Sequence, residues 1–587
     1  MSKPEQFPLY MPRSCFSTEP NKTGSWRFLR PRYDEKTSPC SASCPAGEDI
    51  ARIQMLTTQG LFKEAWEAIL LENPMPGVCG RVCFHPCEAA CNRREFDSGI
   101  AIHTVERFLS DTAARYDLKP SAYAVAARKE RIAIIGAGPA GLSAAWFLNR
   151  LGYSCDIFEA ADEPGGLLRW GIPQYRLPLA VLNSEISRIA GAGVTGTRII
   201  TGNTADAGFL KDARGKYDAV FAGTGYGRSS DLKIPGEGLA GVEDGLKFLE
   251  RIRRGETPPC DGVSAVIGGG NTAIDVARSI RRLGGNAVIL YRRRRQDMPA
   301  FGAEIEMALE EGIEIRELLA PAEVAQSGGE LELTMRQMKV AGEDGRRAKV
   351  EPDGGKTMTF RARRMFKATG AEPAEEWVNP PGKGPGKGKG VLALHNCVLV
   401  SNKGGPAVVF GGDLANGTKS VTHAIASGKA GAMALDTLFR DGFKAVRRRL
   451  KDCEVGDGPA LSMEIYLGGN RRSRSRHIVG YGEINTDYFR FAPGLAQPRL
   501  PKSERVRSFE EIDHKIAANL AMRESERCFN CGICNGCDNC YLFCPDMSVV
   551  RDGETNMRHI NYDYCKGCGL CVVECPRNAM VLEEEKG

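Results

Sequence analysis

Two stretches of the chain share one layout of apolar and polar positions. In RIAIIGAGPAGLSAAWFLNRLGYSCDIFEA (131–160) and SAVIGGGNTAIDVARSIRRLGGNAVILYRRRR (264–295), a short apolar run predicts a strand. A glycine-rich turn, a helix and a second strand follow in both. Upstream, GLFKEAWEAILLENPMP (60–76) has the spacing of an amphipathic helix that stops at Asn73-Pro74. An alanine-rich linker is expected at about 117–129, and NPPGKGPGKGKG (379–390) reads as a flexible surface loop. Residues from about 455 to 515 show no clear period. No stretch approaches the ~20 consecutive apolar residues of a membrane span.

The two turns carry chemistry. Gly136, Gly138 and Gly141, with Pro139 and Ala140 between them, form G-x-G-x-x-G after a strand and before a helix. That pattern gives a tight turn, close backbone approach to a pyrophosphate at a helix N-terminus, and close helix-to-strand packing. Glu159, 23 positions after Gly136, stands where an acid accepts from ribose hydroxyls. The second turn, about 130 residues downstream, holds Gly268, Gly270 and Ala273, with Asn271 and Thr272 opening the helix. There the same offset falls on Tyr291, followed by Arg292, Arg293, Arg294 and Arg295. Guanidinium groups in place of the acid suit a 2′-phosphate, so NADPH fits this turn and a flavin does not. Arginine also stacks over adenine in an NADH site, and a basic run on a loop is the plain reading, so NADH and NADPH both stay open.

Cysteine spacing adds a second kind of chemistry. Cys534, Cys537, Cys540 and Cys544-Pro545, then Cys565, Cys568, Cys571 and Cys575-Pro576, write C-x2-C-x2-C-x3-C-P twice. A 4Fe-4S cubane takes three thiolates from one such loop and the fourth from the other run. One cluster is therefore expected on Cys534, Cys537, Cys540 and Cys575, the other on Cys565, Cys568, Cys571 and Cys544. Structural zinc is held by C-x2-C pairs and does not require the repeated triple. Cys528 and Cys531 precede the first run at the same step and are surplus to it. A further group, Cys40, Cys44, Cys79, Cys83, Cys87 and Cys91, lies near the N-terminus.

Composition narrows the class. A chain of 587 residues divides into three to five domains by the usual size prior, and 42% hydrophobic residues can fill their cores. A net charge of +6, from 79 Lys and Arg against 73 Asp and Glu, demands neither nucleic acid nor an anionic membrane. MSKPEQFPLYMPRSC lacks the apolar core of a signal peptide. With 21 cysteines, this favours metal ligation in the reducing cytoplasm over a disulfide framework.

The order C-x3-C-P, NPMPGVCGRVCFHPCEAAC and IHTVERF resembles the N-terminal domain of the glutamate synthase small-subunit family. The resemblance implies a 4Fe-4S cluster on Cys44, Cys83 and Cys87, with Glu106 at the place of an unusual Gln ligand. Cys40 and Cys91 would fall on a second cluster, whose other two ligands are missing upstream of Cys40, so at least one N-terminal cluster is expected. KATG (367–370) and AVVFGGDLANGTKSVTHAIASGKAGAMAL (407–435) resemble the closing strand and flavin-contacting helix of FAD-dependent pyridine nucleotide oxidoreductases. This implies that Gly412 and Asp413 meet the ribityl chain and that the helix start near Thr418 to Val421 faces the flavin. Thr224, Gly166, Leu167 and Arg176 are weaker flavin candidates on the same resemblance.

The expected architecture is a multidomain α/β protein. It has a helical iron–sulfur domain (1–127), an FAD domain (128–260 and 371–450) with an NAD(P)H domain (261–370) nested in it, a docking strap (451–515), and an α+β two-cluster ferredoxin domain (516–587). Nicotinamide gives electrons in pairs and cubanes take them singly, so a flavin is the required converter. The expected function is an NAD(P)H:acceptor oxidoreductase with no catalytic side chain. The ferredoxin module and YGEINTDYFRFAP resemble the iron–sulfur flavoprotein that serves dissimilatory sulfite reductase, which implies a redox protein partner in sulfur metabolism. A homo-oligomer is compatible with this. The rivals are a glutamate synthase small subunit, a ferredoxin:NAD(P) oxidoreductase, and a non-enzymatic electron-wiring subunit. Dihydropyrimidine dehydrogenase would need an FMN barrel, for which 440–515 has no room.

Overall fold

The computed structural model describes residues 20–121, 125–192, 196–206, 208–344, 347–373, 390–401, 404–553 and 557–585. The expected loop at 379–390 lies outside them but for Gly390, and so does the extreme N-terminus. The chain forms two compact units, one within 40–472 and 492–528, the other within 1–39, 473–491 and 529–587.

Two sheets carry the dinucleotide folds of the larger unit, beside a three-stranded antiparallel sheet of Leu319–Ser327, Glu330–Asp344 and Arg347–Ala362. The first runs Val391–Ala393, Val398–Val400, Ala407–Phe410, Ala219–Ala222, Arg131–Ile135, Ser154–Phe158, Thr197–Ile200. From Ala407–Phe410 onward its neighbours are parallel. Ala219–Ala222 is buried along its whole length, as a strand covered on both faces must be. Because Ala407–Phe410 arrives after the second sheet is complete, one dinucleotide fold closes around the other.

The second sheet is parallel throughout, in the order Glu314–Arg316, Asn286–Leu290, Val263–Ile267, Arg364–Lys367, Val242–Asp244. Its last strand corrects an expected boundary: the nested domain begins at Val242, not at 261. The cause is long-range pairing of Met365 with Val242, which no local pattern in three residues announces. Asp244 then caps the helix Gly245–Arg253 by accepting from the Leu246 and Lys247 N–H groups.

The expected amphipathic helix spans Phe62–Leu70. It joins Ile50–Thr58, Pro76–Val82 and Ile102–Arg115 in an apolar core continuous with the first dinucleotide fold, where Trp66 and Val105 are buried with Ile132, Leu142 and Met433. The helix Ala518–Glu526 packs here as well, with Ser525 Oγ donating to Gln54 Oε1 at 2.8 Å. Residues 516–528, expected in the ferredoxin domain, therefore belong to the helical core.

A buried ion network fastens the nested domain. Arg278 pairs with Glu304 and Glu311, Arg282 pairs with Glu311, and both guanidiniums lie over the Tyr175 ring. Burial pushes the Glu311 carboxyl up, but Arg282 and Arg278 outweigh it and hold it below the ordinary range. A depressed folded pKa contributes stability above the unfolded value and loses it as pH falls through the folded one. Glu311→Gln should therefore cost about 1.5–3 kcal/mol at neutral pH, and the gap to wild type should close below about pH 4. Unfolding midpoints of both proteins across pH check this; a gap constant with pH would contradict it.

In the smaller unit, Leu29–Tyr33 pairs antiparallel with Met580–Glu584, Leu29 opposite Glu584. Arg30 meets Glu583 at 2.9 Å across the pair. Residues 29–33, expected in the helical domain, instead complete the ferredoxin module. Val549–Arg551 and Arg558–Ile560 form its second ladder, and Phe489 packs on Phe529 with ring centroids 4.4 Å apart. Among the described residues no helix is long and apolar enough to cross a membrane.

Candidate redox site

The first glycine turn has the shape of a pyrophosphate cradle. Gly136, at φ +96°, donates its N–H to Phe158 O at 2.8 Å, and a Cβ on it would meet Gly223 O at 2.6 Å. A Cβ on Gly141 would lie 1.9 Å from Gly136 O, whereas one on Gly138 would meet no protein atom within 4 Å. The space in front of Gly138, at the start of the helix Pro139–Arg150, is thus open to a ligand. Ala140 is buried below it. Glu159 is buried and accepts from the N–H groups of Ala137 (2.7 Å) and Ala161 (2.9 Å), which fixes its carboxylate at the strand end. Gly166 lies over the turn, 3.0 Å from Gly138 Cα by its Cβ direction, and Leu167 and Thr224 are exposed.

Gly412 follows the closing strand and donates to Ser427 Oγ at 2.7 Å. Burial raises the Asp413 carboxyl, with Lys419 opposing. After Thr418, the helix Val421–Asp441 starts at Ser420, whose Oγ accepts from the His423 N–H. Gly428 lets this helix touch the one from Pro139: a Cβ there would be 2.4 Å from Ala140 O. These residues fit FAD. The open face at Gly138 and the helix starts supply donors for its phosphates.

The second turn repeats the geometry, with Gly268 at φ +144° against Ala368 O and open space at Gly270. Asn271 Oδ1 accepts from the Phe301 N–H at 3.0 Å, and Thr272 follows at the helix start. Tyr291 is buried against Gly269, its hydroxyl donating to Asp297 O. Arg293 donates to Ala348 O and Arg294 pairs with Asp297, leaving Arg292 exposed at the end of the strand. Arg176, expected beside the flavin, is buried in ion pairs with Asp275 (2.8 Å) and Glu304 (3.1 Å), which join the two dinucleotide folds.

The N-terminal thiols meet buried carboxylates. Asn73 Nδ2 donates to Glu106 Oε1 (3.0 Å) and to Glu48 Oε1 (2.8 Å). Burial pushes Glu48 up to about 7, and burial with the Glu48 charge raises Glu106 well above its ordinary value. Burial likewise raises Cys44, Cys79 and Cys87, and Cys83 to about 12. Several thiols and carboxyls packed together, with Lys429 and Arg471 as the cations that act on Glu48, fit an iron cluster, whose positive irons offset the cost of burying them. Cys79, four residues before Cys83 on the helix Pro76–Val82, shares this surrounding. Cys83 Sγ lies 3.8 Å from Thr422 Oγ1 in the first turn of the flavin-side helix. Next to it, Phe84 stacks on His423 and on Phe301, at 5.8 Å each. Sequence reasoning missed Phe84, Thr422, His423 and Phe301; the one signal was an aromatic between Cys83 and Cys87.

In the smaller unit, Cys544, Cys565, Cys568 and Cys571 line one small cavity, and Cys534, Cys537, Cys540 and Cys575 line another. The Ser548 N–H donates to Cys544 Sγ at 3.2 Å and the Ala579 N–H to Cys575 Sγ at 3.4 Å, the same step after each Cys-Pro. Tyr33 hydroxyl lies 3.3 Å from Cys540 Sγ. Cys537 and Cys568 are exposed.

Two nested dinucleotide folds joined to thiol-lined cavities define a pyridine nucleotide oxidoreductase with iron–sulfur modules. Accordingly, the family model of pyridine nucleotide-disulphide oxidoreductase matches residues 130–428, that of dihydropyrimidine dehydrogenase domain II, 4Fe-4S cluster, matches 33–118, and a 4Fe-4S binding domain matches 558–581. The chain is 32% identical to the NADP(+)-dependent formate dehydrogenase subunit beta of Moorella thermoacetica, over 84% of its own length and 70% of that protein. It is 29% identical to the NADPH-Fe(3+) oxidoreductase subunit beta of Geobacter sulfurreducens (85% and 75%), and 30% identical to the NADPH glutamate synthase small chain of Azospirillum brasilense (69% and 89%). The chain belongs to the glutamate synthase small-subunit family of FAD- and NAD(P)-dependent oxidoreductases, with 4Fe-4S domains near both ends.

Proposed function

We propose that the protein takes electrons from NADPH or NADH and exchanges them singly with a redox protein partner in the cytoplasm, with dissimilatory sulfite reductase as the specific partner. When bound, FAD would supply the conversion between one hydride, which carries two electrons, and single electrons, which the clusters would carry. The chain's part is to hold and shield these groups. Gly136, Gly138, Gly141 and Glu159 would seat the FAD, Gly412 and Asp413 would meet its ribityl chain, and the helix start at Val421 would face the flavin. Gly268, Gly270, Asn271, Thr272 and Arg292 receive the nicotinamide dinucleotide. Cys44, Cys83, Cys87 and Glu106 hold the cluster beside the flavin, and the C-terminal thiol sets hold two more.

The observation that carries this reading is the 3.8 Å approach of Cys83 Sγ, expected as a cluster ligand, to Thr422 Oγ1 on the helix Val421–Asp441, expected to face the flavin. Phe84, stacked between His423 and Phe301, covers the same junction and keeps water from it. The partner rests on the resemblance of the ferredoxin module and of YGEINTDYFRFAP, and relatives named as subunits support a partner in general.

The test mixes the anaerobic protein with NADPH and NADH separately, following flavin bleaching and cluster EPR. Both flavin and clusters should be reduced. Arg292→Ala should lower the NADPH rate roughly tenfold, as loss of one charge-assisted phosphate contact implies, and leave NADH little changed. Reduction of neither would return the wiring-subunit reading. Electron delivery to purified dissimilatory sulfite reductase, against a ferredoxin control, tests the partner.

A further inference from the structure

The flavin-side donor set leaves Cys40 and Cys91 unused, and three segments of the larger unit converge on them. Cys91 closes the turn after Pro86–Ala89, its N–H donating to Glu88 O, and the N–H groups of Arg93 and Ile100 point at its sulfur. Two backbone donors on one sulfur are a setting that suits a cluster thiolate. The loop that follows is bolted to the residue before Cys528. Arg93 Nη1 donates to Arg527 O at 2.9 Å, and Arg527 Nη2 reaches Asp97 Oδ1 (3.0 Å), Ser98 O (2.7 Å) and Ser98 Oγ (2.7 Å).

Cys40 comes from the other side. It sits on the short helix Pro39–Ser43, its carbonyl accepting from the Cys44 N–H at 3.1 Å. Ser41 Oγ accepts from the Ile50 N–H at 3.0 Å, which ties this helix to Ile50–Thr58. Gln54 of that helix accepts from Ser525, three residues before Cys528. Cys40 is 7% exposed, and Cys91 and Cys528 are half-buried against the same apolar core.

We infer that Cys40, Cys91 and Cys528 are ligands of a further 4Fe-4S cluster, distinct from the one on Cys44, Cys83, Cys87 and Glu106. The helix Ala518–Glu526 and Arg527 then serve to deliver a thiolate from late in the chain to a site whose upstream cysteines are missing. Arg527, clamped beside it, offsets the negative charge of the thiolates. This assignment rests on the presence of N-terminal clusters but not on the electron donor or acceptor.

The experiment uses the full chain, purified anaerobically and reduced with dithionite, so that a failure to react with NAD(P)H does not enter. Cys528→Ala should lower iron by about four atoms per chain, one cubane, and remove one cluster's EPR signal, with FAD content unchanged. Cys91→Ala should lose the same signal, and the double variant should lose no more than either alone. A full iron complement in Cys528→Ala, or a double variant that loses two clusters, would overturn the assignment. Cys528→Ser guards against misfolding: with FAD at the wild-type level it should still show the missing or altered signal, and a wild-type cluster spectrum counts against the inference.

Discussion

Replacing Gly138 with Val is expected to leave the fold intact and strip the protein of FAD. Gly138 has φ −76° and ψ −178°, extended backbone that Val adopts without strain, and no protein atom lies within 4 Å of a Cβ built there. The side chain would stand in the space through which the backbone meets the pyrophosphate, so FAD content should fall roughly tenfold or more. Gly141 makes the contrast. A Cβ there would collide with Gly136 O at 1.9 Å, so Gly141→Val should unsettle the turn itself. Flavin absorbance per chain, together with the unfolding midpoints of the apo forms, separates the two. A Gly138→Val protein that keeps its FAD would show that the cofactor does not sit against this turn.

Lys429→Met should destabilise the larger unit by about 3–5 kcal/mol, the usual cost of breaking a buried ion pair from one side. Lys429 lies in the helix Val421–Asp441 with its side chain fully buried, 2.5 Å from a Glu72 oxygen. Burial lowers the lysine's pKa, with Glu72 opposing. Glu72 is as deeply buried and accepts from the Met463 N–H (2.8 Å) and the Glu464 N–H (3.2 Å), with Arg471 3.5 Å away. Removal of the ammonium takes away the nearest positive charge and leaves the buried carboxylate to its neutral donors and Arg471. Lys429→Met with Glu72→Gln should recover much of the loss, because the orphaned charge goes with its partner. Denaturant midpoints of the three proteins decide it; a double variant as unstable as the single one would mean that shape, not charge, sets the cost.

The two dinucleotide turns, the helix near 60–76 and the repeated cysteine runs could be read from the sequence because each is a local device. Gly136, Gly138 and Gly141 act within one strand, turn and helix, and a cysteine every third residue is itself the geometry of a cluster loop. Even the nesting could be read, since a closing strand with GGD appears only after the second turn. The sequence by itself determined which cofactors this protein is built to hold. The rest depended on pairings between distant segments: Leu29–Tyr33 beside Met580–Glu584, Val242 beside Met365, Arg527 on the loop after Cys91, Cys83 on Thr422. The ion pairs of Arg176 with Asp275 and Glu304 are of the same kind. Such contacts leave no local mark, because a three-residue strand or a single side chain carries no period. They form only where chain closure is repaid by complementary surfaces far apart in sequence. Tertiary structure alone decided how the segments divide between the two units and which thiols and aromatics stand next to the helix Val421–Asp441.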